Sequence, residues 1–297
     1  MRRVGFIGIG HMGWPMAANL VRKGGFSVTV HDLDAERASR FAREHGCAAA
    51  SGLEGLAECD TVVTMLPTGR DVRQVLTQDK GLAASLRRGA LVIDMSSSDP
   101  VGTRELGPAL AERGIVLVDA PVSGAVPRAI TGTLAIMIGC NDPEVLERAK
   151  PVLLAMGERL FEVGSLGSGH AMKALNNLIA GAGFAVVCEA MLIGKRFGLD
   201  PTTMMDVLNA STGRNFATEV IMKEHVIGER YASGFSVGLL AKDVKIAADL
   251  GHAVRLDAPL TRLVSERLMY ARDRLGADRD NSAAILAWNE DLPPSLA

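Results

Sequence analysis

Lys173 and Asn177 stand four residues apart in the stretch 163–177, VGSLGSGHAMKALNN. That spacing puts both side chains on one face of a helix. Glycines precede the lysine, and the run LIAGAGFAVVCEAMLIGKRFG follows the asparagines. Together they predict one very long helix, about 169–197, with Lys173 near its start. There the helix macrodipole opposes a positive charge. The same field lowers a lysine's pKa toward the working pH, which suits a residue that must exchange a proton. A lysine in that role needs the rest of the chain to deliver what it acts on to this helix start.

The first half of the chain supplies candidates. Residues 4–9 form a short apolar run that enters GIGHMG, with Gly8, Gly10 and Gly13 in GxGxxG spacing and Ile9, His11 and Met12 between them. An amphipathic stretch, 14–23, follows at once. Strand, glycine turn and helix in succession predict a dinucleotide site: Gly8 for the turn, Gly10 for backbone approach to a pyrophosphate, Gly13 for helix–strand packing. The phosphates would sit at a helix N-terminus. Tight packing alone is the other reading of these glycines. A β-rich segment, Phe26–His31, then ends at Asp32, where an acid accepts hydrogen bonds from ribose hydroxyls. Asp32 would repel a 2′-phosphate, and no arginine follows immediately to hold one, so NAD is expected over NADP. A plain helix N-cap is the alternative for Asp32, although Asp34 fills that role better.

Further strands at 61–65, 91–94 and 116–119 alternate with the segment LPTGRDVRQVL (66–76) and a helix near 101–113, which predicts a parallel, doubly wound sheet. Leu66, Pro67 and the serines around Ser97 lie just past strand ends, the edge where such sheets bind ligands. They would line the nicotinamide half of the cofactor, or the serines would cap the next helix. Ser123, with the backbone N–H groups of Gly124 and Ala125, would make a compact carboxylate receptor, or again a simple serine cap. A strand at 133–138, a helix at 142–156 and a strand at 160–163 complete a first domain, 1–163.

Strand signals stop after Gly164, which predicts an all-helical domain, 164–297, opening with the long interdomain helix. Further helices are expected at 201–209, 217–227, 235–250, 259–275 and 282–289. Gly181 and Gly183 lie inside the long helix, where each costs roughly 1 kcal/mol relative to alanine; close approach of another helix or subunit would justify them. Small and apolar residues on nearly every face of 178–194 predict a helix buried all round. Lys242-Asp243 is a second charged pair, for which a solvated surface position is the simpler expectation. Met204, Arg214, Asn215, Phe216 and Phe235 are candidate pocket residues, each equally readable as packing or a cap.

Composition narrows the classes. With 32 basic and 34 acidic residues there is no electrostatic case for nucleic acid or an anionic membrane surface as partner. Apolar stretches broken by Gly, Lys or Glu before ~20 residues predict no membrane span. No export signal is read at the N-terminus. Cys47, Cys59, Cys140 and Cys188 are scattered without a CxxC pair, which predicts free thiols in a reducing cytoplasm and no zinc site.

Four segments in order, GFIGIGHMGWPMAANL (5–20), DAPVSGAVPRAITGTLAIMIG (119–139), GSGHAMKALNN (167–177) and AKDVKIA (241–247), resemble the β-hydroxyacid dehydrogenases, the group of 3-hydroxyisobutyrate dehydrogenase and 2-hydroxy-3-oxopropionate (tartronate semialdehyde) reductase. The resemblance spans nearly the whole chain. It implies a Rossmann-type α/β domain followed by an all-α C-terminal domain, with reversible transfer between NAD(H) and a small 3-hydroxy acid or its semialdehyde. Lys173 would be the catalytic lysine and Asn177 its substrate-contacting partner. Ser123 and Gly124 would bind the substrate carboxylate, Lys242 would close over the cofactor, and the long helix would assemble a homodimer or homotetramer. The family usually has Gly where this chain has Ala125, which would reshape the pocket without blocking the N–H contact. Gly139-Cys140 likewise replaces a usual Gly-Gly. A decarboxylating 6-phosphogluconate-type enzyme would have a glutamate where Ala180 stands, and imine reductases usually lack the lysine. A non-catalytic nucleotide-sensing protein is the alternative from a different class.

Overall fold

The structure, a computed structural model, describes residues 2–23, 25–79 and 81–290. They divide into two compact units, with the boundary after Lys173. The first unit is built on a nine-stranded sheet. Its strands are β1 (Arg2–Ile7), β2 (Phe26–His31), β3 (Ala48–Ala49), β4 (Thr61–Thr64), β5 (Leu91–Asp94), β6 (Val116–Asp119), β7 (Val122–Ser123), β8 (Leu134–Gly139) and β9 (Gly157–Gly164). They run in the order β3-β2-β1-β4-β5-β6-β8-β7, with β9 on β8. The chain order reverses between β1 and β4, which is the switch point where open α/β sheets bind ligands.

Helices α1 (Gly13–Arg22), α2 (Ala35–His45), α3 (Gly69–Thr77), α4 (Pro100–Ala111), α5 (Ala125–Thr131) and α6 (Pro143–Met156) connect the strands. The period of two along each strand sends alternate residues to opposite faces. Phe6, Val63, Ile93 and Val118 enter one core with Met16, Leu20 and Phe41. Ile7, Val62, Val92 and Leu117 enter the other with Leu76 and Leu110. Central strands buried on both faces read as continuous apolar runs, which is why TVVT and LVID are so short and so apolar.

One expectation changes here. Strands β1 to β6 pair in parallel, but β8 runs antiparallel to both β6 and β7. The sheet is therefore mixed. Residues 120–133, between β6 and β8, hold only the two-residue β7 and the seven-residue α5, too little for a full crossover helix.

The long helix, α7 (Ser168–Phe197), begins in the first unit and continues into the second. The second unit adds α8 (Pro201–Asn209), a wide π-type helix (Ala217–Val226), α9 (Val237–Ala253), α10 (Pro259–Leu275) and α11 (Ala284–Trp288). Its core gathers Phe184, Val187, Cys188 and Met191 of α7 with Met205, Met222, Leu240, Val244, Leu268 and Trp288. Helix α7 is not buried all round: Ile179, Val186 and Ile193 are 71%, 60% and 69% exposed. Their spacing of seven puts them on one stripe that this chain alone leaves uncovered. By length and composition alone this helix is long and apolar enough to cross a membrane, although Lys173 and Glu189 bound its uncharged run to 15 residues. The contribution of α7 to the second core identifies it as a core helix.

Candidate active site

The glycine turn between β1 and α1 has one open face. Gly8 adopts φ +90°, donates its N–H to the His31 carbonyl at 3.0 Å, and a Cβ there would collide with the Met65 carbonyl. A Cβ on Gly13 would collide with the Gly8 carbonyl, whereas one on Gly10 would meet nothing within 4 Å. Gly8 and Gly13 therefore close the turn, and Gly10 faces outward where a pyrophosphate can approach. Helix α1 begins with no side-chain cap and no acid in its first turn, so its end keeps its affinity for an anion. The Ile9 side chain is in the core at 1% exposure, so only its backbone belongs to the site; Met12 packs against the same core, and His11 is exposed.

Asp32 does more than cap a helix. Its Oδ2 accepts the Ile9 N–H at 2.9 Å and its Oδ1 accepts the Asp34 N–H at 2.9 Å, which ties the end of β2 to the glycine turn. Asp34 is the α2 cap, accepting the Arg37 N–H at 2.9 Å. No arginine follows Asp32 immediately, but Arg37, five residues on, folds back with its Nη1 3.3 Å from Asp32 Oδ1. One turn of α2 brings back a residue that the linear sequence sets five positions away. The open turn at Gly10 and an acid at the end of β2 fit a nicotinamide dinucleotide.

The adjoining strand ends are equally ordered. Leu66 donates its N–H to Ser96 Oγ at 2.9 Å, and Ser98 Oγ donates to Asp94 Oδ2 at 2.8 Å. The serines do not cap α4; Asp99 does, accepting the Gly102 N–H at 2.8 Å. Ser97 is half-buried between two buried serines, and Pro67 is exposed on the same edge. Ser123 ends β7, pairing with Ala135. Gly124 follows at φ +133° and Ala125 at φ +52°, a left-handed position that alanine occupies at a cost. This explains why glycine suits that position. Gly139 has a comparable reason, since a Cβ there would collide with the Asp119 carboxylate.

The residues Ile7, Thr64, Asp94 and Asp119 are in register across β1, β4, β5 and β6 and form the sheet's carboxyl edge. Helix α7 is fastened to this edge. Asp119 accepts the N–H groups of Gly167 at 2.7 Å and His170 at 2.8 Å, so a carboxylate satisfies N–H groups at the helix start. Gly169 permits this contact, because a Cβ would collide with the Met137 carbonyl. Burial pushes the Asp119 carboxyl above its ordinary pKa, against the lowering effect of His170 and the backbone N–H groups. Lys173, half-buried, is in the next turn.

In the second unit, Asn177 is 7% exposed. Its Nδ2 donates to Asp243 Oδ2 at 2.5 Å, and its Oδ1 accepts from Asn176 at 3.1 Å. Lys242 Nζ lies 3.0 Å from the other Asp243 oxygen. Asp243 is 3% exposed, so the expectation of a solvated surface pair is overturned; Asp243 faces the apolar side of α9 and orients Asn177. The five loop candidates separate by task. Arg214 pairs with Glu219 at 2.6 Å, Asn215 caps the π-type helix through the Ala217 N–H at 2.8 Å, and Met204 and Phe235 pack against the core. Phe216 is 62% exposed. His170, Thr103 and Asp94 were missed by the sequence reading. Their signals were a histidine beside the lysine and an acid closing the strand LVID. Among the described residues no group of three His, Cys, Asp or Glu is placed to hold a metal ion.

A doubly wound sheet with an open glycine turn at its switch point, followed by a helical unit, defines the class as the nicotinamide-dependent dehydrogenases. Residues 3–164 match a family model described as the NAD binding domain of 6-phosphogluconate dehydrogenase. Residues 167–288 match one described as NAD-binding of NADP-dependent 3-hydroxyisobutyrate dehydrogenase. The chain is 34% identical over 290 residues to 2-(hydroxymethyl)glutarate dehydrogenase of Eubacterium barkeri, covering 97% of this chain and 95% of that one. It is 36% identical over 269 residues to 3-hydroxyisobutyrate dehydrogenase of Pseudomonas aeruginosa, covering 89% and 90%. A solved structure, Mycobacterium tuberculosis 3-hydroxyisobutyrate dehydrogenase with L-serine, superposes with a TM-score of 0.88 at 33% identity over 98% of this chain and 100% of that one. The chain belongs to the β-hydroxyacid dehydrogenase family and is an NAD(P)-dependent oxidoreductase of hydroxy acids.

Proposed function

We propose that the substrate is a small acid of the form HOCH2–CHR–COO⁻, oxidised reversibly to its semialdehyde, with NAD as the preferred cofactor. The compounds named for the three relatives, 2-(hydroxymethyl)glutarate, 3-hydroxyisobutyrate and L-serine, share that arrangement and differ in R. The observation that carries the reading is the fastening of α7's first turn to the sheet's carboxyl edge by Asp119. It ties the helix that carries Lys173 to that edge, which supports Lys173 acting on a substrate held there.

The dinucleotide supplies the hydride acceptor when bound, held by the turn from Gly8 to Gly13, by Asp32, and by Leu66, Pro67 and Ser97. Ser123 Oγ and the backbone N–H groups of Gly124 and Ala125 hold the substrate carboxylate, which fixes the hydroxymethyl carbon. Lys173 Nζ takes the hydroxyl proton during oxidation and returns it during reduction. Asn177, on the same helical face, holds that oxygen, its amide kept in one orientation by Asp243. Lys242, paired with Asp243, closes the site over the cofactor. A reductase of 2-hydroxy-3-oxopropionate or a related semialdehyde uses the same residues in the reverse direction.

The exposed stripe of Ile179, Val186 and Ile193 supports a homo-oligomer. The scattered, unpaired cysteines support a reducing, cytoplasmic setting. The test is turnover of a panel of such acids with NAD⁺ and NADP⁺, run beside Lys173→Ala. The parent should oxidise at least one acid, with NAD⁺ the better cofactor. Lys173→Ala should lose about a thousandfold or more in kcat while binding NADH as the parent does. Near-normal turnover by that variant would remove the lysine from the mechanism.

A further inference from the structure

The carboxyl edge of the sheet holds a buried cluster that the proposed chemistry leaves unused. His170 lies in the first turn of α7, three residues before Lys173, with its side chain 0% exposed. Nδ1 is 2.8 Å from Thr103 Oγ1 and 3.8 Å from Asp119 Oδ2. On the opposite side of the ring, Nε2 is 3.5 Å from Asp94 Oδ2. Asp94 is itself held by Thr64 Oγ1 at 2.9 Å and by the Ser96 N–H at 3.0 Å. These partners come from three separate elements, α4, β6 and β5.

An imidazole is a rigid plane with nitrogens on opposite edges; Nδ1 is hydrogen-bonded to Thr103, while Nε2 makes no hydrogen bond among the described residues and faces the Asp94 carboxylate, so the ring is flanked by polar groups on both edges. The backbone contacts to Asp119 fix how far the end of α7 sits from the sheet. They constrain its roll about its own axis much less. The ring supplies that second constraint. Roll matters for Lys173, which follows about 4.5 Å further along the axis. A side-chain tip about 6 Å off the axis moves about 1 Å for about 10° of roll, and a 1 Å misplacement can cost on the order of a hundredfold in rate.

We propose that His170 is a positioning residue for the proton-transfer step: its imidazole, keyed between Thr103, Asp119 and Asp94, sets the direction in which Lys173 projects. The proposal rests on the assignment of Lys173 as the acid/base.

The test compares His170→Leu, His170→Gln and Thr103→Val with the parent in steady-state kinetics, NADH binding and thermal melting. Leucine fills the space without polar contacts, glutamine restores a donor and an acceptor, and valine removes only the Thr103 hydroxyl. His170→Leu should lower kcat by about thirtyfold or more, with the acid's KM within about threefold and NADH affinity unchanged. His170→Gln should recover kcat to within about fivefold of the parent, and Thr103→Val should lose about three- to tenfold. A His170→Leu enzyme that keeps kcat within about threefold, or a glutamine variant no better than leucine, overturns the proposal. If His170→Leu does not fold, Thr103→Val decides, and unchanged kcat in that variant overturns it. Lys173→Ala in the same assays separates the two ideas: if it turns over normally, the acid/base assignment fails, whatever the His170 variants show.

Discussion

Ala125 and Asp119 show how a single atom can set the energetics of this edge. Ala125 sits at φ +52°, where a Cβ costs about 1–2 kcal/mol. Glycine would relieve that strain but add about 0.4–1 kcal/mol of unfolded-chain entropy. Ala125→Gly should therefore stabilise the protein by about 0.5–1 kcal/mol in urea unfolding. Asp119 is the reverse case. Burial holds its carboxyl above the ordinary pKa, so the folded chain binds more protons than the unfolded one between those two values. Its contribution to stability accordingly falls as pH rises through that window. Removing the charge should nevertheless cost stability at neutral pH. An asparagine amide has one oxygen, and its NH2 would oppose either the Gly167 or the His170 N–H. Asp119→Asn is expected to lose about 1–3 kcal/mol at pH 7, and its unfolding free energy should lack the parent's decline across the acid window.

At the scale of elements, α7 separates two glycines that look alike in the sequence. A Cβ on Gly181 would come within 3.0 Å of Val244 and 3.2 Å of Leu268, where α9 and α10 pack, whereas one on Gly183 would find only Asn215 at 3.8 Å. Gly183→Ala should raise stability by about 0.5–1 kcal/mol. Gly181→Val should lower it by about 1–3 kcal/mol through overpacking, both read from thermal melts. What could be read from sequence follows the same division between local and distant causes. The helices starting at Ala35, Pro143 and Pro201 were legible because Asp34, Asp142 and Asp200 cap them from the adjacent position. The turn at β7 was less so, since a two-residue strand carries almost no pattern. The Asn177–Asp243 bond joins residues 66 apart, and nothing local in AKDVKIA distinguishes a buried aspartate from a solvated one. His170 hides for the same reason: its partners lie on three other elements. Arg37 shows the converse, a residue five positions from Asp32 that one helical turn returns to it.

For the molecule as a whole, the exposed apolar stripe on α7 leads to a prediction about assembly. Sedimentation should show the parent as a dimer or larger, and Val186→Lys or Ile193→Glu should shift it toward monomer without unfolding it. Mean composition could not reveal this stripe, because a residue buried by its own chain and one awaiting a partner have the same hydropathy. The continuity of α7 across the unit boundary has a consequence for modularity. The two matched family segments meet between residues 164 and 167, yet the compact units separate only after Lys173. A recombinant fragment cut at the segment junction would leave Asp119, the acid of β6, without its Gly167 and His170 donors. One extended through the first turns of the helix would keep them. The smallest autonomous nucleotide-binding piece should therefore carry the lysine with it, and module exchange among relatives should tolerate a crossover inside the helix better than one at its start.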